Sequence, residues 1–244
     1  MRFYSITDRG QLREINEDSC YSKNINEYTL LVLADGMGGH RGGETASSKA
    51  IEVIASMLEE NLSSKMLPGQ IMLLISEALE NANREILALS KSDPSLVGMG
   101  TTCDICLVFK NTAYIAHIGD SRVYKISDKK TSIKKLTKDH SLVEYMIETG
   151  AITREEAINH PQKNIILRAL GSAEEMNADI FHEKLSPGDV LLMCSDGLTN
   201  MVSEETVLNT VSSEKKPENC AKKLVKLANA AGGRDNITVV VAEV

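Results

Sequence analysis

Four aspartates lie where an apolar run meets a glycine or a turn: Asp35 in TLLVLADGMGG, Asp120 in AYIAHIGDSR, Asp196 in DVLLMCSDGLT and Asp235 in GGRDNITVVVAEV. A carboxylate at the end of a buried strand is costly to desolvate unless it is paired or binds a cation. A lone Asp-Gly is most often only a turn. Four such positions, with Glu17-Asp18 beside them in the triplet NED, point instead to strand ends converging on an oxygen-lined metal site. Hard cations such as Mg²⁺ take carboxylate, carbonyl and water oxygens. Gly36, directly after Asp35, permits close approach of the backbone, so its carbonyl can join the carboxylate as a ligand.

The elements that would carry these residues are legible as periodicities. Strand-like runs occupy about 2–7, 18–24 and 28–34. Helical spacing follows over 44–62 (Ala46, Ala50, Val53, Ile54, Met57, Leu58) and over 70–90 (Ile71, Leu74, Ile75, Ala78, Ala82, Ile86), with Pro68-Gly69 expected as the break between them. Further strands are expected over 101–136, cut by turns at 110–111, 119–120 and 128–130. Residues 139–170 are more polar, with short helical pieces near 141–149 and 153–159, and read as a surface excursion. Strand patterns return at 178–184 and 189–195, helical ones at 203–211 and 217–230, and a final strand at 237–241. Strands, two helices, strands, two helices and a last strand do not make a βαβ alternation. The pattern implies an α+β protein with helices packed outside largely antiparallel sheets.

Composition bounds the function. The chain has 244 residues, 42% hydrophobic and 25% charged, long enough to bury a large core without disulfides. It has no Trp, three Phe and six Tyr, so that core must be mostly aliphatic. A net charge of −7 argues against nucleic acid as partner. No apolar stretch approaches the roughly 20 residues needed to span a bilayer, the start lacks a signal-peptide core, and the five cysteines have no disulfide-like spacing. A cytoplasmic protein with reduced thiols and no membrane association is expected.

The ordered segments DRGQLREINEDS (8–19), LLVLADGMGGHRGGE (31–44), GMGTTC (98–103), AHIGDSRVY (116–124), LTKDHS (136–141), LLMCSDGLTN (191–200) and GGRDNITVVV (232–241) resemble the metal-dependent protein phosphatases of type 2C, in their compact bacterial form. Each segment is weak alone; the ordered set is specific and spans nearly the whole chain. The resemblance implies one catalytic domain over 1–244, with a flap at about 139–170, and a central antiparallel β-sandwich flanked by helix pairs in four αββα layers. It implies hydrolysis of phosphoserine and phosphothreonine in proteins, with Mn²⁺ or Mg²⁺ as two core ions and a weaker third. Asp35 would bridge the two core ions, with the Gly36 carbonyl on the second. Asp196 and Asp235 would hold the first, and Glu17 would meet the second through water. Asp18 would be a neighbouring carboxylate that ligates or backs a ligand, and Asp120 with Asp196 would serve the third ion. Arg13 matches the arginine that holds the substrate phosphate, a task its planar fork suits. Two cations roughly 3.5–4 Å apart can hold a bridging water and lower its pKa, and the resulting hydroxide attacks phosphorus in line without a protein nucleophile. The implied partners are phosphoproteins, targets of a bacterial Ser/Thr kinase, met by a monomer.

Met37 stands where many relatives have a histidine, and a thioether is not a proton donor. His40 matches the bacterial pattern DGMGGH and could protonate the leaving group, orient substrate, or be an ordinary surface residue; a metal-bound water is the other candidate acid. His140 and His160 are expected at the surface, and Ser121 and Arg122 are expected to fix the Asp120 loop. Cys103-x-x-Cys106 reads as core, because strand positions three apart face opposite sides. Two other readings stand beside the leading one: a silent regulatory module on the same fold, and a phosphatase for a different phosphoester.

Overall fold

The apolar runs in this chain lack a clean alternation because most of the strands that carry them are buried on both faces. The computed structural model describes residues 1–38 and 41–244. Its strands are β1 (Arg2–Asp8), β2 (Asp18–Ile25), β3 (Tyr28–Met37), β4 (Gly100–Thr101), β5 (Cys103–Phe109), β6 (Thr112–Ile118), β7 (Arg122–Ile126), β8 (Ile133–Lys135), β9 (Asp179–Lys184), β10 (Val190–Cys194) and β11 (Ile237–Glu243). Its helices are α1 (Arg41–Asn61), α2 (Pro68–Ser92), α3 (Leu142–Glu148), α4 (Arg154–Ile158), α5 (Asp196–Thr199), α6 (Glu204–Ser213) and α7 (Pro217–Ala230). One sheet has the order β1-β11-β10-β7-β8; the other has β2-β3-β5-β6-β9, with β4 paired onto the end of β3. The strand pairings are antiparallel in both sheets.

Alternation along each strand sorts its residues into layers. Leu30, Val32 and Ala34 of β3 pack with α1 and α2, beside Ile54, Leu58, Ile75 and Leu79. Leu31 and Leu33 point the other way, into a layer shared with Leu191, Met193 and Val240 of the second sheet. Leu192, Val239 and Val241 face Val207, Leu224 and Ala228 of α6 and α7. These are the four expected αββα layers. Cys103 belongs to the helix-side core and Cys106 to the inter-sheet core, and all five cysteines are free thiols. Burial pushes the Cys106 thiol up to about 12, so it behaves as a small hydrophobe.

Four boundaries differ from expectation. Pro68-Gly69 opens α2 instead of separating it from α1; proline suits the first helical position, where its missing N–H costs nothing. The helix expected from residue 44 begins at Arg41. Strand β3 continues past Asp35, because Gly36 and Met37 find partners in Thr101 and Gly100. Asp196 opens a one-turn helix, α5, too short to show a period.

Register gathers the acidic positions at one end. Asp18 sits opposite Asp35, Asp8 opposite Ile237, and Cys194 opposite both Val239 and Arg122. The end of β3, the ends of β6 and β10 and the start of β11 therefore open on the same edge of the sandwich. The inter-sheet layer behind that edge carries Leu191, which is fully buried. Leu191→Ala is expected to cost about 2–5 kcal/mol. A urea midpoint lowered at unchanged slope would register it, and an unchanged midpoint would mean the sheets do not pack there.

Candidate active site

Arg13, Glu17, Asp35, Gly36, Asp120, Asp196 and Asp235 line one cavity of about 500 Å³, together with Leu12, Glu14, Ile15, Met37, Gly38, Asn164 and Ile166. Six of the described lining residues are acidic and one is cationic; none is Ser, Thr, Cys or His. Asp35, Asp120, Asp196 and Asp235 are half-buried, whereas Glu17 and Asp18 are buried. His40 lies outside the described residues.

Local hydrogen bonds fix the backbone beneath each carboxylate. The Asp35 N–H donates to Thr102 Oγ1 at 3.0 Å, and its carbonyl accepts from the Thr102 N–H at 2.8 Å and from Thr101 Oγ1 at 2.9 Å. The Gly36 N–H donates to the Glu17 carbonyl at 3.1 Å, which also accepts from Ser47 Oγ at 2.6 Å. Gly36 is needed for proximity: a Cβ there would stand 2.1 Å from the Gly43 carbonyl oxygen at the start of α1. At Gly197 a Cβ would stand 1.9 Å from the Asn236 oxygen. These two contacts bring β3 against α1 and α5 against the start of β11.

Asp18 reaches across to the other sheet. Its Oδ2 accepts from Ser195 Oγ at 2.8 Å and Thr238 Oγ1 at 2.7 Å, while its buried Oδ1 has no hydrogen-bond partner. The Asn236 side chain receives the Glu17 N–H at 2.8 Å and donates to the carbonyls of Arg9 and Ile15, each at 2.9 Å. Asn236 thus pins the segment that carries Arg13 and Glu17. Nothing in the sequence alone assigned Asn236, Thr102, Ser195 or Thr238 a role in this site. Their signal is position alone, each being within three residues of an acidic or glycine position.

Arg13 pairs with Asp235 at 2.8 Å and lies 3.7 Å from Glu17. Arg122, as expected, is structural: it holds Asp139 through Nε, 3.1 Å from both carboxylate oxygens, and through Nη2 at 2.6 Å. Ser121 exchanges a hydrogen bond of 2.9 Å with Thr102. His140 corrects the sequence reading. It is not at the surface but 6% exposed, bonded to Gly119 and packed 4.7 Å from the His117 ring. Its neighbours in sequence are polar, so nothing local revealed that the chain turns inward there. His160 is half-buried.

Electrostatics set what the cavity can accept. Burial first, and then repulsion from Asp18, Asp196, Asp120 and Asp235, raises the Asp35 carboxyl well above its ordinary range. Burial likewise pushes Asp18 and Asp120 up to about 7 and Asp196 to about 6, with neighbouring aspartates adding to each. Among the described residues no group of three or more His, Cys, Asp or Glu side chains is preassembled to hold a metal ion. The donor set still fits divalent cations. It is all oxygen, it repels itself, and it includes the unpartnered Asp18 Oδ1 behind the cavity. Hard cations relieve such a cluster.

A two-sheet sandwich with acidic strand ends around one cavity defines a class, and comparison names it. The chain belongs to the protein phosphatase 2C family, whose model matches residues 9–228. It is 38% identical to the serine/threonine phosphatase Stp of Listeria welshimeri over 97% of this chain and 93% of that protein. The crystal structure of the serine/threonine phosphatase Stp1 from Staphylococcus aureus superposes with a TM-score of 0.92 at 35% identity, covering 99% of this chain and 94% of that one. The catalytic domain of the phosphatase PstP in complex with two manganese ions superposes at 0.85 with 36% identity, covering 99% and 97%.

The raised carboxyls give a pH dependence with a definite sign. Between about pH 4 and about pH 7 the folded, metal-free protein keeps protons on Asp18, Asp120 and Asp196 that the unfolded chain has lost. These groups therefore make stability fall as pH rises through that window. In EDTA the unfolding temperature is expected to be lower at pH 8 than at pH 5. Asp196→Asn should raise it at pH 8 by about 2–4 °C per kcal/mol of repulsion removed. A wild-type unfolding temperature that climbs from pH 5 to pH 8, unaltered by the substitution, would contradict this.

Proposed function

We propose that this protein-serine/threonine phosphatase works at the acidic cavity, with Mn²⁺ or Mg²⁺ held by its carboxylates. The observation that carries the reading is that, among the described residues, six acidic side chains and one cationic one, Arg13, line a cavity of about 500 Å³. In this reading Asp35 is shared between two cations. Asp196 and Asp235 complete one site, and the Gly36 carbonyl and Glu17 belong to the other. Asp120 with Asp196 serves a looser third, and Asp18 supports Asp35 from behind. When bound, such cations supply the positive charge that stabilises a transferring phosphoryl group and activates water. The manganese-bound PstP structure favours this choice of metal.

The chain's own groups do the rest. Arg13, nearly half exposed on its side chain, can turn its fork from Asp235 toward phosphate oxygens. A cation held by Asp235 would weaken that pair and favour the exchange. Leu12, Ile15 and Ile166 give the cavity an apolar rim that limits water around the phosphoryl group. Neither Met37, a thioether, nor any other described lining residue is a neutral proton donor by default. His40, three residues beyond Met37, is the proposed donor to the leaving oxygen. The single catalytic domain takes residues 1–244, with residues 139–170 as the flap that meets phosphoproteins made by a Ser/Thr kinase.

Purified protein is expected to hydrolyse p-nitrophenyl phosphate and a phosphothreonine peptide with Mn²⁺ or Mg²⁺, and EDTA is expected to abolish both activities. Asp35→Asn should lower kcat by about 10²–10³. Arg13→Ala should raise KM for the phosphopeptide roughly 10- to 100-fold, the value of a charged hydrogen-bonded pair. Turnover that survives EDTA, or an Asp35→Asn enzyme of undiminished kcat, would sink the metal-centred reading.

A further inference from the structure

Behind the cavity the inter-sheet layer changes from apolar to polar. Asp104 on β5 and His117 on β6 are register partners, both fully buried, with His117 Nδ1 2.7 Å from Asp104 Oδ1 and Nε2 2.9 Å from the Lys138 carbonyl. The carbonyl can only accept, so Nε2 carries a proton. The other nitrogen and the carboxyl share one proton between them, which keeps His117 fixed in place.

The next ring, His140, meets the Gly119 peptide from both sides. Its backbone N–H donates to the Gly119 carbonyl at 2.7 Å, and its ring Nδ1 accepts the Gly119 N–H at 3.2 Å. An accepting Nδ1 leaves the proton of the neutral ring on Nε2, which lies 3.3 Å from both the Asp179 carboxylate, its acceptor, and Arg168 Nη1. Burial, and then the neighbouring His117, hold the ring down at about 4, so it stays neutral across the working pH range. The same residue closes the flap: its carbonyl accepts the Leu167 N–H at 2.7 Å. Gly119 itself has φ +117° and leaves no room for a Cβ, which would lie 2.5 Å from Thr102. The residue after Gly119 is Asp120.

We propose that His140 is a positioning residue, clamping the Gly119 peptide so that the base of the flap sets where the Asp120 carboxylate enters the cavity. The consequence for catalysis rests on the reading of Asp120 as a cation ligand; the clamp itself does not. The other contacts to this loop, Ser121 to Thr102 and Arg122 to Asp139, hold residues on the far side of Asp120. Among the described residues, His140 is thus the side chain that holds the near side.

Three variants separate the parts. In His140→Asn the amide oxygen replaces Nδ1 as acceptor. His140→Phe removes both arms, and His140→Gln carries its amide out to the Nε2 position and leaves Gly119 without an acceptor, which serves if the Phe variant does not fold. In metal-free protein, amide exchange at Gly119 should be unchanged in Asn and about 3- to 10-fold faster in Phe or Gln, with the amides of β10 and β11 unaffected. In Mn²⁺ calorimetry the weakest site should weaken by a similar factor in Phe or Gln and stay within about 2-fold of wild type in Asn, with the tighter sites unmoved. Equal Gly119 protection in all variants, or equal Mn²⁺ loss in Asn and Phe, overturns the proposal. If wild type itself binds no Mn²⁺, the metal reading has failed, and the exchange arm still decides the clamp.

Discussion

Everything at the open end of this sandwich answers to one constraint: too much negative charge in one small place. Among the described residues, six acidic side chains and one arginine line the cavity, and a further carboxylate, Asp18, lies buried behind it. In water such a group would spread apart. Here desolvation and mutual repulsion hold Asp35 above its ordinary protonation range. A fold that keeps them together must supply compensating interactions along the backbone, because the carboxylates themselves only repel.

Those interactions are polar side chains placed under the strand ends. Thr101 and Thr102 hold Asp35, Ser195 and Thr238 hold Asp18, and Asn236 ties down the segment bearing Glu17. Two of these tie one sheet to the other, so the cavity cannot open without shearing the sandwich. Glycine contributes proximity: Gly36 against Gly43, and Gly197 against Asn236, are contacts no side chain would permit. The apolar layers deliver stability elsewhere, which is what lets this end carry an unfavourable charge cluster.

The sequence made the elements and the acidic set readable because both leave local traces. Periodicity exposed α1, α2, α6 and α7, and the unbroken apolar runs exposed strands buried on both faces. Asp35, Asp120, Asp196 and Asp235 stood out as charges at the ends of such runs, and the structure brings them to one cavity. What stayed hidden was non-local. Asn236 and Thr102 act through partners 219 and 67 residues away in the chain. The inward turn at His140 depends on Gly119, 21 residues away in the chain, and on Leu167, and no residue beside His140 signals either partner. Asp196 heads a single helical turn, and one turn has no period to detect.

Arg13 makes the balance of this site concrete. It pairs with Asp235, an attraction that partly offsets the repulsion among the carboxylates. Its guanidinium cannot serve that pair and a substrate phosphate with the same nitrogen. In the proposed reading, a cation on the carboxylates would relieve the repulsion and loosen the hold of Asp235 on Arg13. The exposed side chain of Arg13, anchored at its tip, keeps the freedom to exchange one partner for another.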